Sequence, residues 1–164
     1  MNYFKISLGI FLILASSRFI PHPPNFTSLI ALSFYVPAIL GIRYLPALLI
    51  SFAITDIFIG YHFGTHWTWG SVILIGFISV YLNSNFISRI SGALIGAIIF
   101  FVITNFGVWL SGMYEQSWEG FATCYILALP FFGYSLISTI FFSLLIEAAY
   151  KFGPSKIKKI SEVK

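Results

Sequence analysis

Charge is what this sequence has least of: 9% of its 164 residues are Asp, Glu, Lys or Arg, against 59% hydrophobic and 20% aromatic, with a mean hydropathy of +0.94. That little polar surface cannot coat a water-soluble globule, so the chain needs lipid as its solvent. Cysteine is almost missing. The single Cys124 excludes an internal disulfide framework and a cysteine-based zinc cluster, and within its apolar run it reads as a small buried thiol. No Gly-rich loop followed by Lys and Ser or Thr is present to cradle a nucleotide phosphate. No Ser or Cys nucleophile stands at a recognised spacing from a partner His, and the chain is not read as an enzyme. The net charge of +4 does not point to nucleic acid, because five of the nine cations fall in the last fourteen residues, beside a hydrophobic helix. There they flank a membrane.

What is present in quantity is apolar sequence punctuated by breakers. A spanning helix takes roughly 20 apolar residues, so this length allows six spans with short loops and no soluble domain. The expected fold is all-α: a single membrane domain over residues 1–164, with helices at about 4–20, 27–42, 44–61, 69–82, 87–110 and 121–150. Pro21-His22-Pro23-Pro24-Asn25 stops the first, Asn83-Ser84-Asn85 the fourth and Ser111-Gly112 the fifth. Pro130 predicts a kink in the sixth. With the N-terminus inside, Lys5, Arg43, Arg89, Lys151, Lys156, Lys158, Lys159 and Lys164 fall on the cytoplasmic side and only Arg18 on the other, so both termini are placed in the cytoplasm. Trp67, Trp69, Trp109 and Trp118 then gather at the outer interface. Residues 1–17 also resemble a secretory signal ending at Ala15-Ser16-Ser17, whose cleavage would leave five spans in the same orientation.

Within a bilayer the informative residues are the polar ones. Asp56 is the only carboxylate well inside an apolar span. It must pair, bind a ligand or take up a proton, or else staple neighbouring helices. Gly60 shares its face, and His62 and His66 have a separation also used by metal ligands, although interfacial histidines in contact with water fit the same pattern. The run from Arg18 to Thr27, stiffened by three prolines, suits a loop folded over the mouth of a bundle, with Arg18, His22 and Asn25 as ligand contacts; a stiff connector with Asn25 or Thr27 as helix N-cap is the plainer alternative. Asn105 brings amide groups that lipid cannot satisfy, and Trp109, four residues on, shares its helix face. Tyr125 adds a hydroxyl and a ring at the same depth. Gly92 and Gly96 form a small-residue face for close helix packing. Glu147 is expected to match nearby Lys151, and the inner halves of the helices otherwise carry little but Ser.

The Arg18–Thr27 segment, Asp56 with Gly60 and His62, Thr104-Asn105-Phe106-Gly107-Val108-Trp109, Tyr114, and Cys124-Tyr125 with Pro130-Phe131-Phe132 together resemble a family of uncharacterised small bacterial membrane proteins. That family in turn is similar in size, topology and site depth to the substrate-binding S components of energy-coupling factor vitamin transporters. The resemblance implies a six-helix protein of the bacterial inner membrane that binds a vitamin, a vitamin precursor or a transition metal in an outward-facing pocket. It implies docking on a transmembrane coupling subunit driven by ATPases, with no cofactor of its own. Residues 7–15 depart from the pattern in lacking the Ala-xxx-Ala face that many S components present. Two other readings are an intramembrane metal-dependent enzyme built on Asp56 and the histidines, and a structural subunit of a membrane complex.

Overall fold

A computed structural model describes residues 3–61 and 64–152. Among the described residues there are six α-helices and no strand. They are α1 (Tyr3–Phe19), α2 (Leu29–Tyr35), α3 (Leu45–Ile59), α4 (Thr65–Ser79), α5 (Phe86–Val108) and α6 (Trp118–Phe152). Among the described residues three helical stretches are long and apolar enough to cross a membrane: Ile42–Ile59, Phe86–Met113 and Trp118–Phe152. The helix α1 has 17 residues and α4 has 15, while the stretch from Leu29 to Leu40 is shorter still.

Successive helices alternate in direction. At one end Phe19 of α1 meets Phe58 of α3 edge-on, and Trp67 of α4 meets Phe106 of α5. At the other, Tyr3 stacks on Tyr44 with ring centroids 4.8 Å apart. The helix α2 runs down the middle, against α4, α5 and α6. All seven of its side chains are buried, as expected of a helix that is largely apolar all round, and the Ser33 hydroxyl donates to Leu29 O at 2.6 Å. Pro37 has no N–H to give Ser33, and from Val36 to Leu40 the chain widens into a π-helical turn. The apolar run expected as one helix over 27–42 is therefore shorter and two-part.

Several other ends differ from the sequence expectation. The N-cap position of α2 is Ser28, not Asn25 or Thr27; Asn25 instead takes a left-handed backbone (φ 62°), which Asn tolerates. Ser28 is held by Ser17, whose Oγ lies 2.7 Å from Ser28 Oγ and accepts from Ser28 N at 3.1 Å. The helix α4 begins at Thr65, four residues early, because Gly64 O accepts from both Trp67 N and Thr68 N; His66 and Trp67 are thus helical. Asn85 caps α5 by accepting from Ser88 N at 3.0 Å. At its far end α5 gives way to a π-helical turn, Trp109–Met113, which ends through Gly112 at φ 81°. Helix α6 continues through Pro130.

The small-residue face of α5 serves internal packing. Ala93 and Ala97 are fully buried, and Gly92 lies under the Phe34 ring of α2, where an added β-carbon would sit 2.4 Å from the ring edge. Phe34 is itself fully buried and has nowhere to go. We therefore expect Gly92→Ala to destabilise the protein by about 1–3 kcal/mol through overpacking. Thermal unfolding in detergent micelles checks this, with Ser91→Ala, at an exposed position, as the control.

Candidate functional site

The charged centre of the molecule is a pair that joins the last turn of α1 to α3. Arg18 Nη2 lies 2.7 Å from Asp56 Oδ1, and the two side chains are 13% and 5% exposed. Arg18 Nη1 also donates to Thr55 Oγ1 and, at 3.4 Å, to Phe52 O, and its guanidinium sits 4.6 Å over the Phe52 ring. The second carboxylate oxygen, Asp56 Oδ2, accepts from the indole of Trp69 on α4 at 2.9 Å. Of the fates open to a carboxylate in an apolar span, Asp56 thus takes pairing. It staples three helices, through a guanidinium and an indole in place of hydroxyls.

Beside this pair lies a cavity of about 500 Å³. Its position follows from the shortness of α2. That central helix starts only at Leu29, so the column above it is left to a cavity whose lining includes Leu29 and Ile30, with walls from α3 to α6 and the residues between α1 and α2. Arg18, His22, Asn25 and Asn105 all line it, as do Thr27, Thr68, Thr104, Ser111 and Ser135. Apolar surface comes from Phe52, Phe100, Phe101, Phe131 and Phe132. The connection between α1 and α2 does more than cross the end of the bundle: Asn25 O accepts from Ser138 Oγ at 3.4 Å, about 30 Å along α6 from its start. Phe26 there meets Phe141 and Phe142.

Three candidates stand off from the cavity lining. Asp56 lies behind Arg18. Trp109 belongs to the π-helical turn, and its indole donates to Glu115 O at 3.1 Å while its ring meets Phe106 and Phe121. Tyr125 donates to Val102 O at 2.8 Å and packs against Phe101 and Phe121. Neither is a cavity wall. His62 falls outside the described residues, and His66 is exposed next to Trp67. Among the described residues no group of three or more His, Cys, Asp or Glu side chains is placed to hold a metal. The wall residues not offered as ligand contacts from sequence, notably Phe101, Phe131, Phe132 and Ser135, did leave a signal: 101, 104, 105 and 108 recur at helical spacing, as do 131, 132 and 135.

The opposite end is more polar than expected. Glu147 pairs with Arg89 of α5, 58 residues away, through Nε–Oε1 at 2.6 Å and Nη2–Oε2 at 2.7 Å, so the expected match with Lys151 is corrected. A planar fork takes both carboxylate oxygens where an ammonium would meet one. Tyr150 lies below the guanidinium, and the buried hydroxyls of Tyr35, Thr139 and Ser143 have no hydrogen-bond partner among the described residues.

With this geometry in view, comparison with known proteins gives one result. The chain belongs to a family of unknown function, DUF6580, whose model matches residues 2–160. Neither a curated protein nor a solved structure matches it.

Proposed function

We propose that this protein is a membrane-embedded binding subunit that takes up a small nutrient, in the manner of the S components of energy-coupling factor transporters. The observation that carries this reading is the cavity. At about 500 Å³ it falls within the usual range for small-molecule sites, and it has their composition of apolar walls with a few convergent polar groups. A rigid helix frame supplies most of its walls, and the proline-stiffened residues 20–28 supply the rest. Six helices across the bacterial inner membrane with both termini cytoplasmic, the orientation favoured by the cation distribution, would open this cavity toward the outside. Release to the inside then requires a transmembrane coupling subunit and its ATPases as partners. Trp109 and Tyr125 in this reading brace the α5–α6 wall behind the site.

The test is a thermal-shift screen of the purified full-length protein against vitamins, vitamin precursors and transition-metal salts. A saturable rise in Tm is expected for one compound. It should vanish in Asn105→Leu, which fills the cavity wall, while the unliganded Tm of that variant stays near wild type. If no compound shifts Tm, or if Asn105→Leu binds as well as wild type, the cavity is not the site.

A further inference from the structure

The hydroxyls on the helix walls of the cavity share a property that narrows what they can recognise. Four hydroxyls line the helix walls, and each gives its single proton to a carbonyl of its own helix or turn. Thr68 donates to Gly64 O at 3.3 Å and Thr104 to Phe100 O at 2.7 Å, while Ser111 donates to Val108 O at 2.5 Å and Ser135 to Phe131 O at 3.1 Å. A hydroxyl so engaged has only lone pairs left for a ligand. Asn105 adds a further acceptor: Nδ2 spends one of its two N–H groups on Phe101 O at 2.8 Å, and its amide oxygen has no partner among the described residues. His22 Nδ1 lies 2.8 Å from Pro23 O, a carbonyl that can only accept, so Nδ1 carries a proton and is spent on the backbone.

The donors at the cavity are the Asn25 amide, the Thr27 hydroxyl and Arg18, the one charged group among them, whose guanidinium is engaged by Asp56, Thr55 and the face of Phe52. The pair is neutral as a whole, so it holds no net charge for an anion. Five phenyl side chains also line the cavity, and phenyl faces attract cations. We infer that the ligand is a donor-rich nitrogen compound: a flat or compact apolar body carrying two or more N–H groups, such as an amidine, an aminoheterocycle or a protonated amine. Carboxylate- and phosphate-bearing compounds are disfavoured, because they bring acceptors and charge to helix walls whose hydroxyls offer only lone pairs and whose one cation is already paired. This rests on the cavity being the ligand site, and it narrows the class of compound that site takes.

The experiment uses three probes of one planar shape: benzamidine, benzamide and benzoate, each titrated at millimolar concentration against the full-length protein in detergent micelles, with Tm as the readout. Benzamidine should give the largest saturable shift, benzamide a smaller one and benzoate none. Thr104→Val, which keeps the shape and removes the acceptor, should weaken benzamidine about tenfold, and Thr104→Ser should restore it. A purely structural Thr104 would instead change the unliganded Tm and leave the affinity unmoved, which overturns the assignment of that residue as an acceptor. Benzoate binding as well as benzamidine overturns the inference; if that binding is lost in Asn105→Leu, the cavity remains a site with a different preference. Silence of all three probes also overturns the inference, and the cavity reading then rests on the vitamin and metal screen alone.

Discussion

Asp56→Ala is expected to lower the stability of the protein by about 3–5 kcal/mol, the cost of leaving a buried partner charge without its counter-ion. The reason is Arg18. Its side chain is 13% exposed and held over the Phe52 ring, so with the carboxylate gone the guanidinium must stay buried unpaired or swing out and open the cavity wall. The Trp69 indole loses its acceptor in the same step. Replacing both charges, as Arg18→Met with Asp56→Leu, should recover most of the loss, since no orphan charge remains. Denaturant unfolding of the single and double variants decides it. A loss in Asp56→Ala below about 1 kcal/mol, typical of a surface pair, would show that the pair is solvated and not structural. One consequence concerns the binding assay. Asp56 variants would lose ligand through collapse of the wall, so Asn105 and Thr104 are the positions that report on recognition.

The helical class and the presence of helices long and apolar enough to span a membrane were legible because composition is a sum over the whole chain, and most helix ends because Pro, Gly and Asn act locally. Partnerships were not legible. Arg18 and Asp56 are 38 residues apart and Arg89 and Glu147 are 58 apart, and nothing in a sequence states which distant charges meet. Local rules even mislead there, since Lys151 stands at the favoured four-residue spacing from Glu147. The grouping of Arg18, His22, Asn25 and Asn105 at one cavity could be guessed from their depth along the chain. Trp109 was assigned to the Asn105 face by counting 3.6 residues per turn. The count holds for the backbone, since Trp109 N–H bonds Asn105 O, but the ring turns to Phe106 and Phe121 and the indole to Glu115 O, which a count of residues does not foretell. The cavity itself was hidden for a different reason. An unbroken apolar run over 27–42 reads as a full span, whereas Leu29–Tyr35 and the π-helical turn after it fill only the lower part of the column.

Arg89→Ala and Glu147→Ala are each expected to cost about 3–5 kcal/mol, and Arg89→Met with Glu147→Leu to return to within about 1 kcal/mol of wild type. This pair is the counterpart of Arg18–Asp56 at the other end of the bundle, with side chains 13% and 8% exposed. It ties α5 to α6, whose neighbouring hydroxyls, Tyr35, Thr139 and Ser143, are buried without hydrogen-bond partners among the described residues. Removing one ion of the pair therefore leaves the other largely buried without its counter-charge. Lys151→Ala separates this arrangement from the local pairing that the sequence suggested: Lys151 is exposed, and its loss should change stability by less than about 0.5 kcal/mol. Should Lys151→Ala cost as much as Arg89→Ala, or should the single losses at Arg89 and Glu147 add in the double variant, the forked ion pair is not what holds these two helices together. If instead the cycle shows coupling, the two ends of the bundle are each clamped by a buried Arg–carboxylate pair. The cavity then lies in a frame whose α1–α3 and α5–α6 contacts are each fixed by such a pair, which is the rigidity that a preformed binding site requires.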